Sequence, residues 1–294
     1  MIIASYVIKF IIFSFMGWAY ECVYSMITTG HWDNRGFLIG PICPIYGIGA
    51  VSAMVIFNEL PWFEAGDTEW WKIFLICAIG SAILEYTVSL ILEKKFHAMW
   101  WDYSKVPFNI KGRICLPATL GFGVAGVVIV KKFFPWFLEH TQAMNAHPLV
   151  NEFIAIILIF VLGMDLALSI ASITELLSYL DDVQEKFDER MEASVEKVTA
   201  APGAFMEKVT EAPGALKEKM TEAPAAFVEK MSEAPGMIKE KISEAPAFFK
   251  EKAQGLNPRQ KHHFRSIKTF KLKEKTSMFE RLKKELNDND SRRH

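Results

Sequence analysis

Long apolar runs alternate with short polar stretches over roughly the first 180 residues, and the pattern changes beyond Asp181. Five runs are long enough to cross a bilayer, which takes roughly 20 apolar residues. They are Ile2–Ile27, Phe37–Phe57, Trp70–Leu92, Ile114–Val130 and Phe153–Leu177. Soluble domains seldom carry such runs. We therefore expect an all-α, polytopic membrane protein with five transmembrane helices in residues 1–180.

Lysine and arginine are distributed unequally between the loops that five crossings would create. One side collects six basic residues before the basic C-terminal tail: Arg35, Lys94, Lys95, Lys105, Lys111 and Arg113. The other side carries the N-terminus, an acidic loop from Glu59 to Glu69, and Lys131 and Lys132. Because excess Lys and Arg mark the cytoplasmic face, we expect a multi-pass cell-membrane protein with its N-terminus outside and its C-terminus in the cytoplasm.

Residues 17–57 and 80–130 look like two copies of one unit. "GWAYE" and "GSAILE" lie late in the first and third runs, and "NRG" and "NIKGR" follow in the loops. Each loop then leads into a Gly/Pro-rich run, "GPICPIYGIG" or "RICLPATLGFGVAG". The copies would have the same orientation, and repeats of this kind in transporters place the binding site at their interface.

Three prolines, Pro41, Pro44 and Pro117, stand in these Gly/Pro-rich runs. Proline removes a backbone donor and breaks a helix. One interpretation is a kink that helps helices pack. The other is an unwound stretch whose backbone faces a solute, which is tolerated in a membrane where it lines a cavity. The residues themselves leave both open.

Two acids, Glu21 and Glu85, lie inside apolar runs, where charge is costly and marks function or pairing. Arg35 and Arg113 open the next runs at the same level, so we expect glutamate–arginine pairing across the repeat. The pairs would staple helices, bind a polar solute or relay protons; snorkelling to the interface is the third interpretation. Asn109 belongs to the same group.

The loop from Lys94 to Arg113 carries Trp101, Asp102 and Tyr103. They suit an interfacial aromatic belt, and the alternative is an ordered cap over the Glu/Arg cluster. A further acid, Asp165, forms a polar stripe with Ser169 and Ser172 in the fifth run.

The segments "GWAYE", "NRGFLIGPICPIYGIG", "LEYTVSLILEKKFHAMWWDYSKVPFNIKGRICL" and "GFG" resemble the ABC-transporter type IV (CmpB-like) membrane family, found mainly in Gram-positive bacteria. The resemblance covers about residues 13–132. It implies a bacterial permease-type subunit of unsettled substrate. Because no Gly-x-x-x-x-Gly-Lys-Ser/Thr loop occurs, such a subunit needs a separate ATP-binding partner, and its small size favours a homodimer.

Residues 181–257 hold a Pro-punctuated repeat of eleven residues, for example "TEAPGALKEKM" and "SEAPGMIKEKI". This period is close to that of a straight α-helix, and its apolar positions form one stripe. Ser or Thr would cap each unit and proline would lie in its first turn. We expect a cytoplasmic amphipathic helical tail that binds lipid or a partner; self-association and disorder are the alternatives.

Residues 258–294 are basic: 259–294 carry twelve Lys and Arg against five Asp and Glu, a net charge of +7. Such a tail on the cytoplasmic side suits anionic lipid, whereas nucleic acid is disfavoured because no recognition motif accompanies it. The four cysteines form no metal or redox motif. We expect no metal, no cofactor and no catalytic residue.

Transport is therefore the leading functional hypothesis. The second is a non-transporting membrane scaffold whose tail binds lipid or a partner. The third is an intramembrane enzyme with Glu21 or Glu85 as acid and base, although no nucleophile or cofactor motif accompanies them.

Overall fold

The computed structural model describes most of the chain. The described residues are 2–30, 32, 34–60, 62–63, 68–141, 147–211, 248–270, 279–280 and 282–284, with backbone alone for 2 and 190–211. They fall into two compact units. The first comprises Met1–Leu177 with Asn257–Thr276, and the second Ser178–Leu256 with Ser277–His294.

The first unit is built from helices. They are α1 (Ile2–Thr29), α2 (Pro44–Asn58), α3 (Trp70–Phe96), α4 (Leu116–Val128), a π-helical turn (Ile129–Phe133), α5 (Phe134–His140), the first part of α6 (Pro148–Glu211) and α7 (Pro258–Ser266). Two short antiparallel pairs join β1 (Ala98–Met99) to β4 (Thr269–Phe270) and β2 (Asn109–Ile110) to β3 (Ile114–Cys115).

Within the described residues, four stretches of helix are long and apolar enough to cross a membrane: Ile3–Thr29, Trp70–Phe96, Leu116–His140 and Pro148–Glu189. The chain is thus a helical membrane protein. The fifth predicted span, Phe37–Phe57, is not among them, because its helix begins only at Pro44. The 15 residues of α2 reach about 22 Å, short of the roughly 30 Å of hydrocarbon.

Glycines bring α1 and α2 into close contact. A Cβ on Gly17 would overlap the ring of Tyr46, and one on Gly47 would overlap the hydroxyl of Ser14. At the far end of α2, the hydroxyl of Tyr6 donates to Glu59 Oε1 over 2.8 Å. The start of α1 and the end of α2 therefore lie together, and the two helices run antiparallel.

The α3–α4 pair uses the same device. A Cβ on Gly123 would lie 2.7 Å from the ring of Phe74, and one on Gly126 would lie 2.5 Å from Cys77 Sγ. Gly80, matched to Gly17 in the predicted repeat, has open space around it. The two halves share glycine-mediated packing, but not at that position.

The three prolines do not kink helices. Pro44 is the first residue of α2 and Pro117 lies in the first turn of α4, each after a buried, extended cysteine, Cys43 or Cys115. Pro41 stands in the non-helical stretch before α2. In the first turn a proline costs little, because the backbone N–H that it lacks has no helical partner there. The kink interpretation is therefore wrong.

An aromatic core closes the end of the bundle where α2 stops. Phe13, Phe57, Phe134 and Phe137 are buried there with Met54, Ile73 and Val130. The ring of Phe13 packs 5.7 Å from that of Phe134 and 5.2 Å from that of Phe137. Since α5 continues from α4 through the π-helical turn, this core joins the α1–α2 pair to the α3–α4 pair.

The second unit begins with the remainder of α6, which runs unbroken to Glu211. The first eleven-residue repeat, Thr199–Val209, is therefore continuous with the preceding helix despite Pro202. Further along, residues 248–255 are helical. The ring of Phe187 packs at a tilt against that of Phe249, with centroids 5.3 Å apart, and the hydroxyl of Tyr179 donates to the carbonyl of Lys252. The repeats between 212 and 247 lie outside the described residues.

Candidate functional site

The stretch Gly36–Cys43 is non-helical and leads into α2; we call it the broken segment. The amide of Ile39 donates to Asp165 Oδ1 over 3.2 Å and to Ser169 Oγ over 3.0 Å. The amide of Gly40 donates to Asp165 Oδ2 over 3.0 Å. A Cβ at Gly40 would lie 2.6 Å from the same carboxylate oxygen, so glycine alone allows this approach. The Asp165 carboxylate on α6 thus accepts hydrogen bonds from backbone amides that have no acceptor within a helix.

Further bonds fix the broken segment at both ends. Asn34 Nδ2 donates to the carbonyl of Ile39 over 2.8 Å, while Asn34 Oδ1 accepts from Trp18 Nε1 over 2.5 Å. The amide of Cys43 donates to the carbonyl of Ser14 over 3.0 Å. Most of these backbone groups have partners, so the segment is a defined structure rather than a frayed helix end.

Glu21 and Glu85 each meet a tyrosine. The hydroxyl of Tyr46 donates to Glu21 Oε1, and that of Tyr103 donates to Glu85 Oε1 over 3.4 Å. Burial raises the pKa of Tyr103, and the charges of Glu85, Cys115 and Glu21 raise it further. Both acids therefore raise the pKa of the same tyrosine, Tyr103. Glu85 is 8 % exposed, and its Oε2 has no hydrogen-bond partner among the described residues.

The predicted glutamate–arginine pairing across the repeat is wrong for Arg113. Its Nη2 donates to Glu93 Oε2 over 2.6 Å, and its guanidinium lies over the ring of Tyr86 at 5.2 Å. Glu93 lies eight residues beyond Glu85 on α3, about two turns further toward the loop. Within the described part of the chain, no carboxylate pairs with Arg35. Among the described residues, Glu21 and Glu85 therefore pair with no guanidinium.

Three other predicted site residues organise the loop between α3 and α4. Asn109 Nδ2 donates to the carbonyl of Val106 over 2.8 Å and its Oδ1 accepts from the amide of Gly112. Trp101 Nε1 donates to the carbonyl of Arg113 over 2.8 Å. Asp102 is exposed and accepts from the amide of Ser104 over 2.8 Å. These bonds order the loop, and Tyr103 connects it to Glu85.

The structure adds two partners of the broken segment that the pattern did not connect to it. Asp165 is visible in the sequence as an acid in an apolar run, but nothing there identifies amides 125 and 126 residues away as its partners. His262 Nε2 lies 2.9 Å from the carbonyl of Leu38. No signal in the sequence points to that contact, because it joins segments 224 residues apart.

The comparison with protein families gives one match. A family model described as "Putative ABC-transporter type IV" matches residues 8–170, more than half of the chain. The matched range is wider than the resemblance read from the motifs and includes Asp165. No curated protein and no solved structure matches the chain.

Proposed function

The chain belongs to the ABC-transporter type IV family, and on that premise we propose that it is a permease-type membrane subunit that works with a separate ATPase. The subunit supplies the path through the bilayer. The partner supplies ATP hydrolysis, since these 294 residues contain no P-loop. A homodimer of this subunit would bring the number of crossings closer to that of a complete transporter.

The broken segment is the observation that carries the proposal. Backbone that is neither helix nor strand is tolerated at membrane depth where protein covers it or where it lines a polar path. In transporters, interrupted helices of this kind present backbone groups to solutes and ions. Here the amides of Ile39 and Gly40 are held by a carboxylate on a different helix, so movement of α6 would change what those amides bind.

The buried acids support the same proposal. Glu21 belongs to α1 and Glu85 to α3, and neither has a guanidinium partner among the described residues. An acid in an apolar bundle is a functional site by default. We propose that Glu21, Glu85 and Tyr103 line the cytoplasmic mouth of the path, with Arg113, Asn109, Trp101 and Asp102 holding the loop above it; Arg35 marks the entrance to the broken segment.

The proposed arrangement in the membrane has five crossings. The second consists of the broken segment and α2 together, because the end of α2 lies beside the start of α1. The excess of Lys and Arg then puts the loop between α3 and α4 in the cytoplasm and the N-terminus outside.

The proposed ATPase contact is the tip of that loop. Phe108 is 79 % exposed and Ile110 54 % exposed, and large apolar side chains on a polar loop suit a protein partner. The tagged protein would be purified from its native membrane in mild detergent, and co-purifying proteins would be quantified by mass spectrometry. We expect a stoichiometric ATP-binding protein, lost from the double variant Phe108→Asn, Ile110→Thr.

Trp62→Ser is the matched control, since Trp62 is 81 % exposed in the loop between α2 and α3. That variant should retain the ATPase. Asparagine is chosen at residue 108 because the backbone there is left-handed, with φ 54°. Repeated recovery of the protein without any ATP-binding partner would refute the permease proposal.

A membrane scaffold is the second candidate, and the unbroken continuation of α6 to Glu211 favours it. A helix that continues past the last apolar run would offer a binding surface outside the membrane-spanning residues. Deleting residues 210–242 removes three whole repeats and keeps Asn257–Phe270 intact. A scaffold would lose its cellular role in this variant, whereas a permease would keep transport and its ATPase.

A further inference from the structure

Residues 257–270, which we call the strap, return from the far end of the sequence to the first unit. Asn257 starts α7 with a capping box: its side chain accepts from the amide of Gln260, whose side chain accepts from the amide of Asn257. Phe264, Ile267 and Phe270 are buried. The strap is therefore a folded part of the membrane unit, although it lies about 87 residues beyond the family match.

The strap holds the broken segment from two directions. His262 Nε2 donates to the carbonyl of Leu38, the residue before the two amides bound by Asp165. On the other side, β4 pairs with β1, and the amide of Lys268 donates to the carbonyl of Met99 over 2.8 Å. The next residue, Trp100, packs its ring 5.3 Å from that of Phe37. Release of the strap would therefore free both Phe37 and Leu38.

A buried histidine lies at the centre of the strap. His263 is fully buried, and neither ring nitrogen has a hydrogen-bond partner among the described residues. Its ring centroid is 4.9 Å from that of His262. The charges of Asp165 on α6 and Arg265 on α7 influence the pKa of His262. The pKa of His263 is influenced by the charge of His262. Protonated His263 would thus be a buried cation beside a second histidine, and none of the described acids compensates it.

We infer that the strap keeps the broken segment in its Asp165-bound form and that protonation of His263 releases it. The device is independent of whether the protein transports a solute. It makes the conformation of the broken segment depend on pH, through the contact of His262 with Leu38, which no local sequence pattern encodes.

Burial, and then the charge of His262, lower the pKa of His263 to about 3. A released, solvated histidine has a pKa of roughly 6.5, so the released form binds more protons between these values. The contribution of His263 to docking of the strap on the first unit is therefore fully present above about pH 6.5, and it is lost as the pH falls toward 3. One proton gives about a 30-fold loss of the docking equilibrium at pH 5.0. For His262, burial lowers the pKa, while its bond to Leu38 and the charge of Asp165 oppose that shift.

Hydrogen–deuterium exchange of the full-length protein in phosphatidylcholine nanodiscs tests the inference. Peptides covering the strap and the broken segment would be followed at pH 7.5 and pH 5.0, with rates corrected for intrinsic exchange. We expect amides of both segments to exchange about 30-fold faster in acid. In His263→Leu, which cannot be protonated, both should stay protected at pH 5.0.

A second pair of variants tests the coupling without a change of pH. Phe264→Asp puts a charge on the buried face of α7 and should expose both segments at pH 7.5; Arg259→Asp makes the same kind of change on its exposed face and should not. The inference is overturned if the strap opens while residues 37–43 stay protected. It is also overturned if acid opens neither segment, or opens His263→Leu as readily as the wild type.

Discussion

At the scale of single residues, the space for one methyl group decides which positions must be glycine. Gly47 meets Ser14 and the carbonyl of Phe10 where α1 and α2 pack, whereas Gly80 has nothing nearby. Both are glycines in apolar helices. The sequence cannot distinguish them, because the difference lies entirely in what the neighbouring helix presents.

Gly47→Ala should lower the free energy of unfolding by about 1–3 kcal/mol, the usual cost of overpacking a tight contact. Gly80→Ala should be neutral or raise it by about 0.5–1 kcal/mol, since alanine restricts the unfolded chain. Thermal unfolding in detergent compares the two. Equal effects would contradict the close α1–α2 contact.

The buried ion pair gives a second residue-scale prediction. Arg113 is 3 % exposed and Glu93 Oε2 lies 2.6 Å from its Nη2. Arg113→Met removes the guanidinium that contacts Glu93 and should cost about 3–5 kcal/mol, whereas adding Glu93→Leu should recover most of that loss. Chemical denaturation of the wild type, both single variants and the double variant completes the cycle. A double variant no more stable than Arg113→Met would show that the pair is not the stabilising contact.

At the scale of elements, α2 shows how a short helix and an irregular segment together replace one long helix. Pro44 starts the helix, Gly40 admits the carboxylate of Asp165, and Asn34 closes the turn onto Ile39. The irregular part persists because its donors are bonded, which an apolar environment requires.

Asp165→Leu should destabilise this element. The amide of Gly40 would lose its acceptors, at a cost of about 1–3 kcal/mol, while that of Ile39 would keep Ser169. Asp165→Asn keeps one carbonyl acceptor and should lose less. Amide exchange of residues 37–43 is the measurement, and equal protection in wild type, Asn and Leu variants would rule out the carboxylate as the anchor.

At the scale of the whole molecule, the chain has four helices long and apolar enough to cross a membrane among its described residues, and the proposed fifth crossing is the broken segment with α2. The proposed orientation has a direct test. A membrane-impermeant maleimide applied to intact cells should label Trp62→Cys and spare Ile110→Cys until the membrane is opened. Both positions are exposed, and the wild type gives the background of its four native cysteines. The opposite labelling pattern would invert the proposed topology.

The sequence predicted the elements better than their partners. The apolar runs located the starts of the four long helices to within about five residues, because length and hydropathy suffice for that, but two of the helices continue at least ten residues past their predicted ends. They overestimated the second span, because an apolar stretch containing Gly40 and Pro41 keeps its hydropathy when it unwinds. In the candidate site, Glu85 and Tyr103 meet, but Arg113 pairs with Glu93, which lies two turns beyond Glu85 on α3. Which acid an arginine contacts depends on how the loop folds over the helix, and the sequence pattern does not show that.

The sequence by itself determined that this is a helical membrane protein, which family it belongs to, and where its four long helices begin, since these follow from local hydropathy and motifs. Tertiary structure alone decided that Asp165 binds the amides of the broken segment and that His262 reaches Leu38. Those contacts join residues more than a hundred positions apart. Their formation depends on how helices pack around an irregular segment, and no periodicity along the chain records that.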